Sequence, residues 1–160
     1  MYKRHKSAIN LAIIGLVLIA IALAASAVIP RLLAPPSNLR LGDGIFKTEL
    51  ALNDTQRAKG LSGRSSLGAS EAMLFVFPGI SKWKITVKDM EFPIDIVWLD
   101  QYKKVVYIVK NASPETSLTD TFEPKSDAKY VVELAAGTVD SRTINIGRTA
   151  VFDLVGLEEQ

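Results

Sequence analysis

A mainly β fold is predicted for this chain, a compact antiparallel β-sandwich or partly closed barrel with one or two short helices, preceded by one N-terminal transmembrane helix. Three observations predict it. An uncharged apolar run fills residues 8–29, short runs of β-branched and aromatic residues recur after Gly44, and turn-forming residues separate those runs. The 160 residues leave room for a single core beside the apolar segment.

The apolar segment comes first. From Ala8 to Ile29 the only polar side chains are Asn10 and Ser26. As a helix this stretch would reach about 33 Å, enough to cross a hydrocarbon core of about 30 Å, and helix is the conformation that satisfies a lone segment's backbone in lipid. Pro30 stops it. Lys3, Arg4 and Lys6 precede the segment and Arg31 alone follows closely, so the positive-inside rule places a basic tail, residues 1–7, in the cytosol and the rest outside the cell membrane. Ala25-Ser26-Ala27 has the small-x-small form of a signal-peptidase site, and cleavage after Ala27 would release a secreted protein. The length of the apolar run favours an uncleaved anchor.

Residues 30–44 hold three prolines and two glycines and are expected to form a tether. The domain proper is expected over 45–156, with 157–160 as a tail. Candidate strands are Ile45–Leu52, Met73–Phe77, Trp83–Lys88, Ile94–Leu99, Lys103–Lys110, Lys129–Ala135 and Thr149–Leu154. Ile94–Leu99 is apolar on both faces apart from Asp95, as a central strand would be, and Asp100–Lys103 turns it into an antiparallel hairpin. In Trp83–Lys88 the apolar and polar residues alternate, which gives one dry face and one wet face. A short helix is expected at Asp54–Lys59, with Asn53 as cap, Gln56 completing a capping box and Gly60 as stop. A second helical turn is expected near Val139–Arg142.

Composition excludes whole classes of chemistry. The chain has no cysteine and one histidine, His5 in the tail, so disulfides, thiolate metal sites, a Cys nucleophile, a Ser-His-Asp triad and a His-ligated zinc are out of reach for the domain. The net charge of +2 comes from the three cations of the tail; from Arg31 onward 16 basic residues face 17 acidic ones. Nucleic acid is therefore not expected as a partner. No Gly-rich nucleotide loop occurs, and no cofactor is implied.

The residues GLSGR (60–64), MLFVF (73–77), VKDMEFPIDIVWLD (87–100), KNASPET (110–116) and YVVELAAGT (130–138) form an ordered series. Over roughly Lys47–Leu154 the chain resembles the domain of unknown function 192 family. That resemblance implies a compact β-rich domain, often exported or membrane-anchored, and implies no activity. The chain departs from the family pattern at Thr86-Val87, where an aromatic residue and a Met usually precede a Lys-Asn pair, here Lys88-Asp89.

Asp95 is the residue that most needs a partner, because a carboxylate inside an apolar strand must be paired or hydrogen-bonded. Lys88 and Arg64 are its expected partners, as a structural ion pair or around a ligand. Asp89, Glu91 and Asp95 share parity along an extended chain, a spacing compatible with a carbohydrate hydrolase or a hard-cation site if no bulge intervenes. Lys82, Lys84 and Lys88 form a basic stripe that either protects a sheet edge or receives an anion. The long aperiodic stretch Asn111–Ala128 points to a binding rim at Thr119, Asp120, Thr121 and Phe122. Asn53 and Asn111 head glycosylation sequons that capping and turn formation also explain. The expected function is a non-catalytic binding module with Arg64, Lys88, Asp89, Asp95 and Asp120 at its site, no catalytic residue and no metal. Its partners would be the bilayer through residues 8–29 and an envelope glycan or a protein; the alternative is a carboxylate-dependent hydrolase of an envelope carbohydrate.

Overall fold

A computed structural model describes residues 37–113 and 121–154. Two units divide the chain, 1–35 and 36–160, and the described residues all belong to the second. The expected anchor at 8–29, Asp120 and the C-terminal tail lie outside the described residues. Among those described, no helix is long and apolar enough to cross a membrane.

Eight strands and two short helices make up the described fold: β1 (Ser37–Leu41), β2 (Gly44–Ala51), α1 (Asp54–Lys59), β3 (Glu71–Ser81), β4 (Ile85–Thr86), β5 (Ile94–Leu99), β6 (Val105–Ala112), β7 (Thr121–Phe122), β8 (Ala128–Ala135) and α2 (Thr138–Ser141). Six of the strands form one sheet in the order β1-β2-β3-β8-β5-β6, and β4 pairs with β7 in a separate two-stranded ribbon.

The expected antiparallel β-sandwich or partly closed barrel is corrected to one mixed six-stranded sheet, in which β2 and β3 run parallel. Parallel neighbours cannot be joined by a tight hairpin and need a crossover. Here residues 52–70 supply it and carry α1 across one face of the sheet. A closed barrel is likewise not formed. Residues 148–151 do reach both edge strands: the Val151 N–H and carbonyl bond Arg40 in β1, while Ala150 donates to the Lys103 carbonyl and Val105 donates to that of Arg148. Each edge contact is a single bridge, so Thr149–Leu154 is not the strand expected of it and the sheet stays open.

The tether expectation also fails over residues 37–44. Leu39 and Leu41 alternate with exposed Asn38 and Arg40 and enter the core, a two-residue period too short to stand out beside Pro35-Pro36. Gly42, at φ 59°, turns β1 into β2, and a Cβ there would collide with the Arg142 carbonyl oxygen. Of the expected strand Trp83–Lys88 only Ile85–Thr86 pairs, although its buried and exposed residues alternate as anticipated. Helix α1 has the expected bounds: Asn53 accepts from the Gln56 N–H and the Gln56 side chain accepts from the Asn53 N–H.

Each face of the sheet carries its own core. On one face Leu39, Phe46, Leu74, Val97, Leu99, Val132 and Leu134 pack with Val139 and Ile144 beside α2. The opposite face packs Met73, Phe75, Phe77, Ile94, Ile96, Trp98 and Val131 against Leu61, Ile85, Val87 and Met90 from the crossover and the 83–92 segment. Strand β5 is buried along all six residues because it lies between β8 and β6 and is covered on both faces. Each large apolar side chain removed from water contributes about 1.5–3 kcal/mol, so β5 is the best-anchored element of the sheet.

Candidate functional site

Two carboxyl groups lie inside this fold, one on each face of adjacent strands. Asp95 of β5 and Glu133 of β8 are both buried, and the register pairs Asp95 with Leu134 and Ile96 with Glu133. Alternation along each strand then sends the two side chains to opposite faces.

Asp95 has two backbone partners. Its Oδ1 accepts from the Asn111 N–H at 3.0 Å and its Oδ2 from the Val139 N–H at 2.8 Å. The first bond sits at a bulge. Between the pairs Ile94–Ala112 and Ile96–Val109, Lys110 and Asn111 together oppose the single residue Asp95, and Asn111 takes φ 54°. The second bond caps α2 from outside, because Gly137 at the N-cap position has no side chain to offer the helix. Asp95 thus ties β6 and α2 to the central strand, and neither Lys88 nor Arg64 pairs with it. Arg64 instead bonds Glu49 at 2.6 Å.

The expected row of Asp89, Glu91 and Asp95 is not assembled. Asp89 takes φ 60° in the turn after β4, which breaks the two-residue parity, and Asp89 and Glu91 are exposed while Asp95 is buried. Lys88 is exposed; its carbonyl receives the Ser62 hydroxyl and its N–H donates to the Thr86 hydroxyl. The Asp89 carbonyl accepts from the Gly63 N–H, so Lys88, Asp89 and the GLSGR segment that leads to Arg64 are brought together through backbone contacts. Of the expected binding rim, Thr121 and Phe122 form β7 and Thr119 and Asp120 lie outside the described residues. Lys84 of the basic stripe pairs with Glu123 at 3.3 Å. No group of three or more His, Cys, Asp or Glu residues suited to a metal occurs among the described residues.

Glu133 was not singled out from the sequence, although it shares the signal that marked Asp95, a lone carboxyl in an apolar strand, here YVVEL. Its residue is 2 % exposed, and Oε2 has no hydrogen-bond partner among the described residues. Burial pushes its pKa from 4.5 up to about 8, and the positive charge of Arg64, the smaller effect, pulls the other way. At neutral pH the carboxyl is therefore mostly protonated and can donate a hydrogen bond.

That carboxyl lines a cavity of about 200 Å³ between the sheet, α1 and the 84–90 segment. Leu61, Phe75, Phe77, Ile85 and Met90 supply apolar wall, and Arg57, Lys59, Ser62, Lys84 and Thr86 the polar part. Trp83 stacks on Phe77 with ring centroids 4.3 Å apart, and the Arg57 guanidinium lies over the Phe77 ring at 5.4 Å. Phe75 and Phe77 of β3 thus give the cavity an aromatic wall. Arg57 is itself fixed by donating to the carbonyls of Leu52 and Val76.

A second cavity, of about 290 Å³, is lined by Lys47, Glu49, Arg64, Leu67 and Glu71. Glu49, Met73 and Glu133 occupy successive strands in one cross-strand row. Two strand spacings, roughly 9.6 Å, separate the two acids at the backbone, near the separation used by inverting glycosidases. Met73 is buried between them, however, and each acid lines a different cavity.

The family model DUF192, described as "Uncharacterized ACR", matches residues 38–152. No curated protein matches the chain. Two solved structures share the fold. One, described as a "putative transcription regulator" from Sinorhizobium meliloti 1021, is 25% identical with a TM-score of 0.68, covering 72% of this chain and 92% of its own. Another, a protein of unknown function from Novosphingobium aromaticivorans DSM 12444, is 24% identical with a TM-score of 0.65, covering 72% of this chain and 83% of its own.

Proposed function

The chain belongs to the DUF192 family, and from that premise we propose that it is a non-catalytic binding module whose ligand occupies the cavity over Glu133. One observation carries this reading: a buried carboxyl with an unpartnered oxygen lines a cavity whose apolar wall is Leu61, Phe75, Phe77, Ile85 and Met90 and whose polar part is Arg57, Lys59, Ser62, Lys84 and Thr86. Leaving such an oxygen unsatisfied costs about 1–3 kcal/mol, which a ligand that bonds it would recover. Small-molecule sites have this composition, mostly apolar with a few placed polar groups. A cavity of about 150 Å³ already holds a benzene-sized molecule, so the volume here suits a small ligand or one side chain of a larger partner.

In the same proposal, residues 8–29 hold the module at the cell membrane with the domain outside, and the ligand is drawn from that side, free or as part of an envelope glycan or protein. Asp89, Lys88 and Arg64 then act through the loop contacts that shape the cavity's rim. Hydrolysis by paired carboxyls is the weaker reading, because Met73 separates Glu49 from Glu133. The regulator name carried by the S. meliloti structure is not adopted. The described helices have six and four residues, and past the tail the chain lacks the cationic excess that dominates nucleic-acid affinity.

A melting-temperature screen of small ligands on the full chain in detergent tests the site. Ala58 lines the cavity from the exposed side of α1, so Ala58→Trp should fill the mouth at little cost to the helix. Ligands that stabilise the wild type should leave Ala58→Trp unmoved; equal shifts in both proteins would place the ligand elsewhere. For the anchor, the N-terminus of the mature protein should be that of the intact chain, and a chain starting at Val28 would end that part of the proposal.

A further inference from the structure

Resting on that reading of the cavity, we infer that its ligand is a small neutral group of the carboxamide class, an apolar body whose carbonyl oxygen accepts a hydrogen bond from the Glu133 carboxyl. The geometry narrows the choice. Glu133 lies among Leu61, Phe75, Phe77, Ile85 and Met90 with Oε2 unpartnered. A charge brought into such walls without compensation is strongly penalised.

The charged groups around the cavity come from every element packed on it, and most are already committed. Arg57 of α1 pairs with Asp54 and Lys84 with Glu123; Lys59 is exposed, and Arg64, outside the lining, pairs with Glu49. An anionic ligand would have to draw Arg57 or Lys84 from these partners or reach Lys59 at the rim, and would bring its charge against the apolar walls. A cationic ligand would have to ionise Glu133 and would meet the positive charge of Arg64, which already acts on that carboxyl. Forming a buried ion pair at such a site roughly breaks even against its desolvation.

A neutral acceptor avoids both costs. The protonated carboxyl gives its O–H to the ligand carbonyl, and no proton leaves or enters the site. Its own second oxygen remains an acceptor, and an amide N–H beside the carbonyl is the matching donor. The carboxamide group meets both demands at once, whether it arrives as a free amide or as a glutamine side chain.

The test uses the methyl signal of Met90, a cavity-lining residue, in full-length chain labelled with ¹³C-methyl methionine and held in detergent. Butyramide, butyrate and butylamine are titrated separately at pH 6 and pH 9.5, with N-acetylglutamine N′-methylamide as the side-chain form. Butyramide should shift the Met90 signal saturably at pH 6. With a carboxyl titrating at about 8, loss of the protonated form should weaken it roughly thirtyfold at pH 9.5. Glu133→Gln, which keeps a donor and cannot ionise, should retain binding within a few-fold at both pH values, and Glu133→Leu should lose it. Saturation by the glutamine derivative with comparable affinity would assign the source to a polypeptide; saturation by butyramide alone would assign a free amide.

Tighter binding of butylamine or butyrate than butyramide would overturn the class and leave the cavity as the site. Absence of any saturable Met90 shift overturns the class as well. In that case, ligands from the screen whose effect vanishes in Ala58→Trp would keep the binding-module reading, and their absence would remove both.

Discussion

Asp95 and Glu133 are neighbours across the β5–β8 seam, buried to the same degree, and opposite in consequence. Asp95 faces α2 and has both oxygens filled by backbone N–H groups. Glu133 faces α1 and the cavity with Oε2 unfilled. The difference teaches that burial of an acid says little by itself; the inventory of its partners separates an acid fixed by backbone donors from one left unpartnered. One face of the sheet is closed by chain that folds back after β8. The other is roofed by a 19-residue crossover and a loop ribbon, which pack less completely and leave space.

Removing the structural acid should have the largest effect. Asp95→Ala leaves the Asn111 and Val139 N–H groups without acceptors and uncaps α2, and an expected loss of about 3–5 kcal/mol would appear in urea unfolding. Retention of wild-type stability would erase the contrast, because Asp95 would then be no more committed than Glu133.

Glu133 should behave in the opposite sense, with a pH signature. Its folded pKa of about 8 lies above the unfolded value near 4.5, so the folded state holds the extra proton between those limits. Its contribution is fully present below about pH 4.5 and is lost as pH rises through 8. The accumulated loss by pH 7 is about 3 kcal/mol. Glu133→Gln should therefore melt higher than wild type at pH 8, with the advantage shrinking toward pH 5. An equal difference at both pH values would show that shape, not ionisation, governs the site.

Two smaller effects calibrate the roof over the cavity. Asn53→Ala removes the α1 cap and should cost about 1 kcal/mol; it should also loosen the wall built from Arg57 to Leu61, which hydrogen exchange of α1 would register. Arg64→Ala breaks an exposed pair with Glu49 and should cost at most about 1 kcal/mol. Because Arg64 restrains the rise in the Glu133 pKa, the same change should extend the decline in stability to higher pH while leaving its onset near pH 4.5. A curve that does not move would uncouple Arg64 from the cavity.

Much of the scaffold was legible in the sequence because its signals are local. The α1 capping box, the stop at Gly60, the all-buried β5 and the hairpin after it each depend on residues within a few positions of one another. Asp95 was legible as a problem, an acid in an apolar strand, but its solution was not. Val139 is 44 positions away, and the Asn111 N–H is free only because a bulge forms there. Glu133 carried the same local signal in YVVEL, and its meaning depends entirely on what covers that face.

By itself the sequence determined the mainly β character, the two helical turns, the membership carried by its ordered motifs, and the exclusion of thiol and histidine chemistry from the domain. Tertiary structure decided the rest: that β2 and β3 run parallel, that β1 replaces part of a tether, and that of two like acids one is satisfied and one is left open. The physical reason is range. Propensity, capping and alternation act over a few residues, whereas strand direction and the partners of a buried carboxyl are set by chain segments that meet only once the sheet has closed over them.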